Sequence, residues 1–125
     1  MSRQRIYALR AYDMVISQKN GGGPDELKFR TLCMKTPSLI QQSGLAQTVV
    51  FLRSRDKEMG KIFVDCLEYV LNGHRDQGER LQRRVIGESS LGEYLILTRQ
   101  AAEAAAWLRR FAQTELEKPK PGDSE

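Results

Sequence analysis

The side chains that could act as acids, bases or metal ligands are few and far apart in the sequence. The single histidine, His74, stands in Asn-Gly-His-Arg-Asp, a composition typical of an exposed turn. Cys33 and Cys66 form no CxxC pair, which favours buried free thiols over a zinc site. Asp65 and Glu68 have i, i+3 spacing, which on a helix is more typical of a solvated face than of an acid–base pair. We therefore predict no catalytic residue, no metal and no cofactor.

Phosphate-binding loops are not indicated either. A P-loop needs a glycine five residues before its Gly-Lys pair, and Arg55 stands at that position relative to Gly60-Lys61. The glycine run at 20–24, Asn-Gly-Gly-Gly-Pro, is followed by Asp25 and Glu26, whose carboxylates favour a helix N-terminus and repel an anion from the same amides. The run is therefore interpreted as a flexible turn, and nucleotide hydrolysis is disfavoured.

Basic side chains are the remaining candidates for chemistry, in this case the binding of phosphate. The net charge is +4, but residues 1–55 hold nine Lys/Arg against three Asp/Glu, whereas residues 56–125 hold eleven against thirteen. Arginine outnumbers lysine 13 to 7, and the guanidinium group suits bidentate contacts with phosphate. This pattern favours a polyanionic partner, and an ordinary solvated surface stays open as the alternative.

The spacing of acidic residues separates the basic candidates. A helical arginine with a carboxylate four residues before it is already partly neutralised by its own helix, as expected for Arg83 after Glu79 and for Arg30 after Glu26. Six basic residues either lack an acidic residue at i±4 or lie in a turn. The predicted phosphate contacts are Arg3, Lys35, Arg53, Arg55, Arg109 and Arg110.

These residues must be positioned by helices, because every periodic segment repeats at 3.6 residues and none alternates as a strand does. We predict an all-α fold, a compact single-domain bundle of five to six helices over residues 1–117, with a disordered tail over 118–125. Thr36 and Pro37 fit an N-cap and first helical position, and Gly44 interrupts or kinks the helix that follows. The predicted helices are 3–19, 24–35, 37–52, 57–72 with Gly73 as its cap, 77–86 and 90–117.

The last helix has the strongest signal in the chain. Ser90 and Glu93 fit a capping box, and no proline interrupts the run before Pro119. Small and bulky apolar residues alternate along one of its faces, which favours the close approach of another helix. The predicted interface and packing residues are Ala101, Ala104, Trp107, Leu108 and Phe111.

No apolar run approaches the ~18 residues that a membrane helix needs, and no signal-peptide pattern opens the chain. A cytoplasmic protein without a membrane partner is the resulting expectation.

Two segments also carry a family resemblance. Residues 36–52, Thr-Pro-Ser-Leu-Ile-Gln-Gln-Ser-Gly-Leu-Ala-Gln-Thr-Val-Val-Phe-Leu, are similar to a central family motif of leucine-proline, glutamine, glycine-leucine and phenylalanine-leucine. Tyr94, Thr98-Arg99 and the run Trp107-Leu-Arg-Arg-Phe-Ala are similar to its C-terminal signature, and Ala11-Tyr12 fits its first helix. The chain thus resembles the small subunit of the type III-B CRISPR effector, the Cmr complex.

The resemblance implies a non-catalytic, all-helical subunit in antiviral defence. It implies that several copies stack along the complex and line the groove where target RNA pairs with the guide. The implied partners are other Cmr subunits, guide-paired target RNA and copies of the protein itself, so the six basic residues become predicted RNA contacts. Two alternatives stay open: a pure assembly subunit without RNA contact, and a small nuclease that uses His74 with a neighbouring arginine.

Overall fold

The computed structural model describes residues 1–121. These residues form five α-helices and one short π-helical segment, joined by turns and loops, and contain no strand. They are α1 (Arg3–Ser17), α2 (Pro24–Arg55), α3 (Lys57–Asn72), α4 (Gly78–Arg83) with the π-helix Arg84–Glu88 directly after it, and α5 (Leu91–Glu115). The predicted all-α bundle with a long C-terminal helix is confirmed. The division into a domain over 1–117 and a disordered tail stays a prediction, and residues 122–125 lie outside the described part.

Local sequence signals correctly place the ends of two helices. The Ser90 hydroxyl accepts the N–H of Glu93 at 3.2 Å, and the Glu93 carboxylate accepts the N–H of Ser90 at 3.0 Å, which completes the predicted capping box. Gly73 closes α3 in the left-handed conformation with φ of 78°. Asp56 opens the same helix, because its carboxylate accepts the N–H groups of its first turn.

The predicted helix start at Thr36-Pro37 is wrong. Thr36 lies inside α2, fully buried, and its hydroxyl donates to the carbonyl of Leu32 at 2.6 Å instead of capping a new helix. Pro37 is likewise inside the helix. The stripe formed by Cys33, Thr36 and Ile40 is buried on one side, so packing of this face overrides the local preference of Thr-Pro for a helix start.

The break in α2 lies at Gly44, as predicted, but it is a reversal of direction. Gly44 has φ of 80° and ψ of 166°, a conformation that glycine adopts easily. Lys28 forms an ion pair with Asp56 at 3.8 Å, although an uninterrupted helix would hold these residues about 42 Å apart. We therefore describe α2 as a hairpin, the α2 hairpin, with a first arm over 24–43 and a second arm over 45–55. Tyr94 of α5 accepts the N–H of Ala46 at 3.0 Å and so caps the second arm.

The small residues predicted for close helix packing fill the core of this chain. Ala101, Ala104 and Leu108 are fully buried, and α5 lies against α1 and α2. The close approach predicted for this face is therefore made by helices of the same chain. Trp107 and Phe111 lie at the edge of the core and keep part of their surface in solvent.

Candidate nucleic-acid interface

The six predicted RNA contacts lie in two regions of the molecule. Lys35, Arg53 and Arg55 belong to the α2 hairpin. The other three, Arg3, Arg109 and Arg110, lie at the start of α1 and towards the end of α5. The structure therefore does not bring all six together on one element, and the two groups differ in what surrounds them.

Arg3 is neutralised by a residue that is remote in sequence. Its guanidinium forms an ion pair with Glu103 of α5, with Nε at 3.2 Å from Oε1. Both side chains are partly exposed, so the pair adds little to the free energy of unfolding, but it reduces the charge that Arg3 offers to a phosphate. The i±4 rule cannot detect a partner one hundred residues away.

Arg110 belongs to an aromatic cluster that we define as Tyr12, Trp107 and Phe111. Its guanidinium lies 4.9 Å from the centre of the Trp107 ring. Trp107 stacks on Phe111 at 5.8 Å, and Tyr12 meets Phe111 edge-on at 5.4 Å. The indole N–H donates to Gln4 at 2.8 Å, which fixes the tryptophan on α1. Beside this cluster, Arg109 is half-buried.

Arg53 points into a cleft between the second arm and the π-helix. The cleft has a volume of about 480 Å³ and is also lined by Glu79, Arg83, Ile86 and Glu88. Nη1 of Arg53 is buried without a hydrogen-bond partner among residues 1–121. The predicted pair of Arg83 with Glu79 is present at 4.0 Å, and Glu88 adds a second contact to Arg83 at 3.6 Å. Both carboxylates of the cleft therefore pair with Arg83, and Arg53 forms no ion pair in the described part of the chain.

Arg55 is exposed on the opposite side of the same arm. Residues two apart on a helix point about 200° apart, so Arg55 and Arg53 cannot contact the same phosphate. The guanidinium of Arg55 lies 5.8 Å from the centre of the Phe51 ring, one helical turn earlier. On the first arm, Lys35 is half-buried. The α2 hairpin therefore offers cations on more than one side.

The acidic pair on α3 has structural partners, and the prediction of a solvated face is wrong for Glu68. This carboxylate is only 1% exposed and accepts hydrogen bonds from Asn72 and from Nδ1 of His74, both at 2.9 Å. Asp65 accepts the N–H of Gly78 at 2.8 Å and thereby positions the start of α4. His74 itself is exposed, as predicted. Among the described residues, no three His, Cys, Asp or Glu side chains lie close enough together to hold a metal ion.

The two cysteines are buried and unpaired, as predicted. Burial raises the pKa of the Cys66 thiol to about 12 and raises that of Cys33 well above its ordinary value. Because the thiolate is the reactive form, both are poor nucleophiles near neutral pH.

Glu26 is the most important residue whose role the sequence did not reveal. The prediction that Glu26 pairs with Arg30 is wrong. The Glu26 carboxylate is 1% exposed and accepts the backbone N–H groups of Asn20, Gly22 and Glu117. Burial alone would raise the pKa of Glu26, but these three hydrogen bonds and nearby Lys19 outweigh it and hold the pKa below its usual value. The amides of the glycine run thus bind a carboxylate of the same chain, which orders the turn and anchors the end of α5.

These features define the class: a small helical bundle that carries an aromatic edge and a helical hairpin whose Arg53 and Arg55 form no ion pair within residues 1–121. The family model of CRISPR-associated protein (Cas_Cmr5) matches residues 3–115. A relative from Thermus thermophilus, the CRISPR system Cmr subunit Cmr5, is 38% identical over 116 residues, which cover 93% of this chain and 97% of the relative.

A solved structure agrees with the sequence match. The X-ray crystal structure of a CRISPR-associated Cmr5 family protein from the same organism has a TM-score of 0.79 and 33% identity, and covers 91% of this chain and 96% of its own. The chain therefore belongs to the Cmr5 family, and the resemblance found in its two motifs is confirmed.

No helix within residues 1–121 is both long and apolar enough to span a membrane.

Proposed function

We propose that this chain is a non-catalytic small subunit of a type III-B CRISPR effector complex and helps to hold target RNA against the guide. Membership of the Cmr5 family supports its place among Cmr subunits. The observation that carries the RNA contact is the pair Arg53 and Arg55 on the second arm, because neither forms an ion pair with a carboxylate within residues 1–121. In this proposal the protein acts in the cytoplasm, where several copies stack along the complex.

The mode of binding follows from the chemistry of these side chains. Guanidinium and ammonium groups contact phosphate oxygens, which are the same at every nucleotide, so they position RNA without reading its sequence. Base pairing between guide and target then supplies the specificity. A subunit of this kind needs a cationic surface and contacts with its neighbours, and it needs no catalytic residues of its own.

A pure assembly subunit without RNA contact is the second candidate. The aromatic cluster with Arg110 favours it, because tryptophan, tyrosine and arginine are enriched among the residues that dominate protein–protein binding. Near this cluster the charge of Arg3 is already balanced by Glu103. We therefore propose the cluster as a contact with neighbouring subunits or copies of this chain, and the α2 hairpin as the RNA contact.

The triple variant Lys35→Ala, Arg53→Ala, Arg55→Ala tests the RNA contact. We expect it to weaken binding of single-stranded RNA irrespective of sequence, and to reduce the slope of log affinity against log salt by roughly 0.7 for each phosphate that is no longer bound. The measurement is fluorescence anisotropy at several salt concentrations. The matched control, Lys61→Ala, Arg75→Ala, Arg99→Ala, removes the same charge from exposed positions outside the α2 hairpin and its cleft. If both variants keep the wild-type slope, the RNA contact lies elsewhere or the chain is an assembly subunit only.

The non-catalytic part of the proposal has its own test. We expect the purified protein to leave RNA and DNA intact, with or without divalent metal, because the titratable groups of α3 and its loop are engaged in structural hydrogen bonds. Gel analysis of labelled substrates is the measurement. Cleavage that co-purifies with the protein and is abolished by His74→Ala would contradict this expectation and revive the nuclease alternative.

A further inference from the structure

The second arm carries an aromatic side chain that the core does not use. Phe51 is 38% exposed, and its neighbour Val50 is 47% exposed. Every other phenylalanine packs against another ring: Phe29 against Phe63, and Phe111 within the aromatic cluster. Phe51 has no such partner among residues 1–121, and the group over its ring is the guanidinium of Arg55.

Position on the helix makes Phe51 and Arg55 one surface. They are four residues apart and lie on the same side of the second arm, one turn from each other. Arg55 forms no ion pair in the described part of the chain, so its charge stays available to an anion. An exposed aromatic ring beside an available guanidinium is the combination by which proteins bind single-stranded nucleic acid: the ring stacks on a base, and the cation contacts the backbone or extends the stack.

We propose that Phe51 is a base-stacking residue, which takes one unpaired base of a bound RNA while Arg55 contacts the neighbouring phosphate. This inference rests on the proposed RNA-binding function and adds to it a contact that is not electrostatic. It also explains why an apolar ring stays in solvent on the same arm as Arg53 and Arg55, which form no ion pair within residues 1–121.

The aromatic cluster at the other end of the molecule does not offer the same chemistry. Its rings already pack on one another, and the Trp107 N–H is used by Gln4. The nearest additional cation on α1, Arg3, is paired with Glu103. Phe51, in contrast, packs against no other ring among residues 1–121, which favours it as the stacking position.

The test is Phe51→Ala, measured by fluorescence anisotropy with a 12-nucleotide unstructured RNA and with an RNA duplex of the same length. We expect the affinity for the single strand to fall by about 5- to 150-fold, the range typical of one base–aromatic stack. The salt slope should stay that of the wild type, since every phosphate contact is kept. The duplex should bind both proteins equally, because its bases are already stacked. Phe51→Trp should restore single-strand binding.

Two controls separate stacking from bulk and from folding. Phe51→Leu keeps an apolar side chain without an aromatic face and should bind as weakly as Phe51→Ala. Val50→Ala removes a neighbouring exposed apolar group and should bind RNA as the wild type does. Thermal melts of all four variants show whether each is folded.

Different failures have different meanings. If Phe51→Ala binds the single strand as tightly as the wild type while the triple cationic variant binds weakly, the stacking inference is wrong and the proposed RNA contact stands. If Phe51→Ala binds RNA normally but no longer enters the reconstituted complex, Phe51 is a protein contact and the inference is overturned. If neither variant changes RNA binding, the proposed RNA contact on the α2 hairpin fails together with the inference.

Discussion

Gly60→Ala is expected to destabilise this protein severely, although it adds a single methyl group. A Cβ atom at Gly60 would lie 1.9 Å from the carbonyl oxygen of Leu52 and 3.2 Å from the Cα of Arg53. Both are backbone atoms, so the clash is relieved only by moving α3 away from the second arm. We expect a loss of about 3 kcal/mol, the upper end of the cost of overpacking, which lowers the melting temperature by roughly 10 °C or more for a chain of this size.

Circular dichroism at 222 nm during a thermal melt measures this effect. Gly87→Ala is the matched control, because an added Cβ there has no neighbouring atom within 4 Å. Its melting temperature should stay close to that of the wild type, as for most surface substitutions. Equal melting temperatures for the two variants would show that α3 does not lie so close to the second arm.

Removal of the Glu26 carboxylate is the other change with a large expected effect. Glu26→Ala leaves three backbone N–H groups, those of Asn20, Gly22 and Glu117, without their acceptor. Because unsatisfied buried donors cost roughly 1 to 3 kcal/mol each and these are only partly buried, we expect a total loss of about 3 kcal/mol. Asp25→Ala, a change in the same helical turn but at an exposed position, should be nearly neutral. Urea unfolding of both variants tests the difference.

The same carboxylate predicts a pH dependence. The folded-state pKa of Glu26 is lower than its ordinary value of 4.5, so its contribution to stability is fully present above about pH 4.5 and is lost as the pH falls through the folded pKa. The wild type should therefore lose stability in acid more steeply than Glu26→Gln, which does not titrate. If the difference in unfolding free energy between the wild type and Glu26→Gln stays constant from neutral to acidic pH, this role of Glu26 is contradicted.

Much of the fold follows from local patterns. The 3.6-residue repeats locate α3 and α5, and the predicted caps of Ser90 and Gly73 are present because they depend only on residues within one helical turn. The helix start predicted at Thr36 is wrong because Thr36 and its neighbours on the same helix face, Cys33 and Ile40, are buried, and this packing overrides the local preference. The reversal at Gly44 depends on contacts with Tyr94 and on the pairing of distant chain segments, which periodicity does not contain.

The candidate site was less accessible to sequence reasoning. Spacing identified the local pair of Glu79 and Arg83, but it missed the ion pair of Arg3 and assigned Glu26 to the wrong partner, because these contacts join remote residues or loop amides. Charge spacing alone does not indicate Phe51 as a binding residue, but the sequence carries another signal for it: the run Phe-Leu-Arg-Ser-Arg at 51–55 interleaves an aromatic with two arginines. That pattern is typical of surfaces that bind nucleic acid.

Cross-linking of target RNA to the assembled effector complex, followed by mapping of the linked peptides, tests the central claim most directly. We expect cross-links on this subunit at 51–55 of the second arm, in every copy that the RNA passes, and their disappearance in the Lys35, Arg53, Arg55 triple variant. A complex in which the subunit is fully incorporated while its α2 hairpin yields no cross-link to RNA would contradict the claim and identify the chain as an assembly subunit alone.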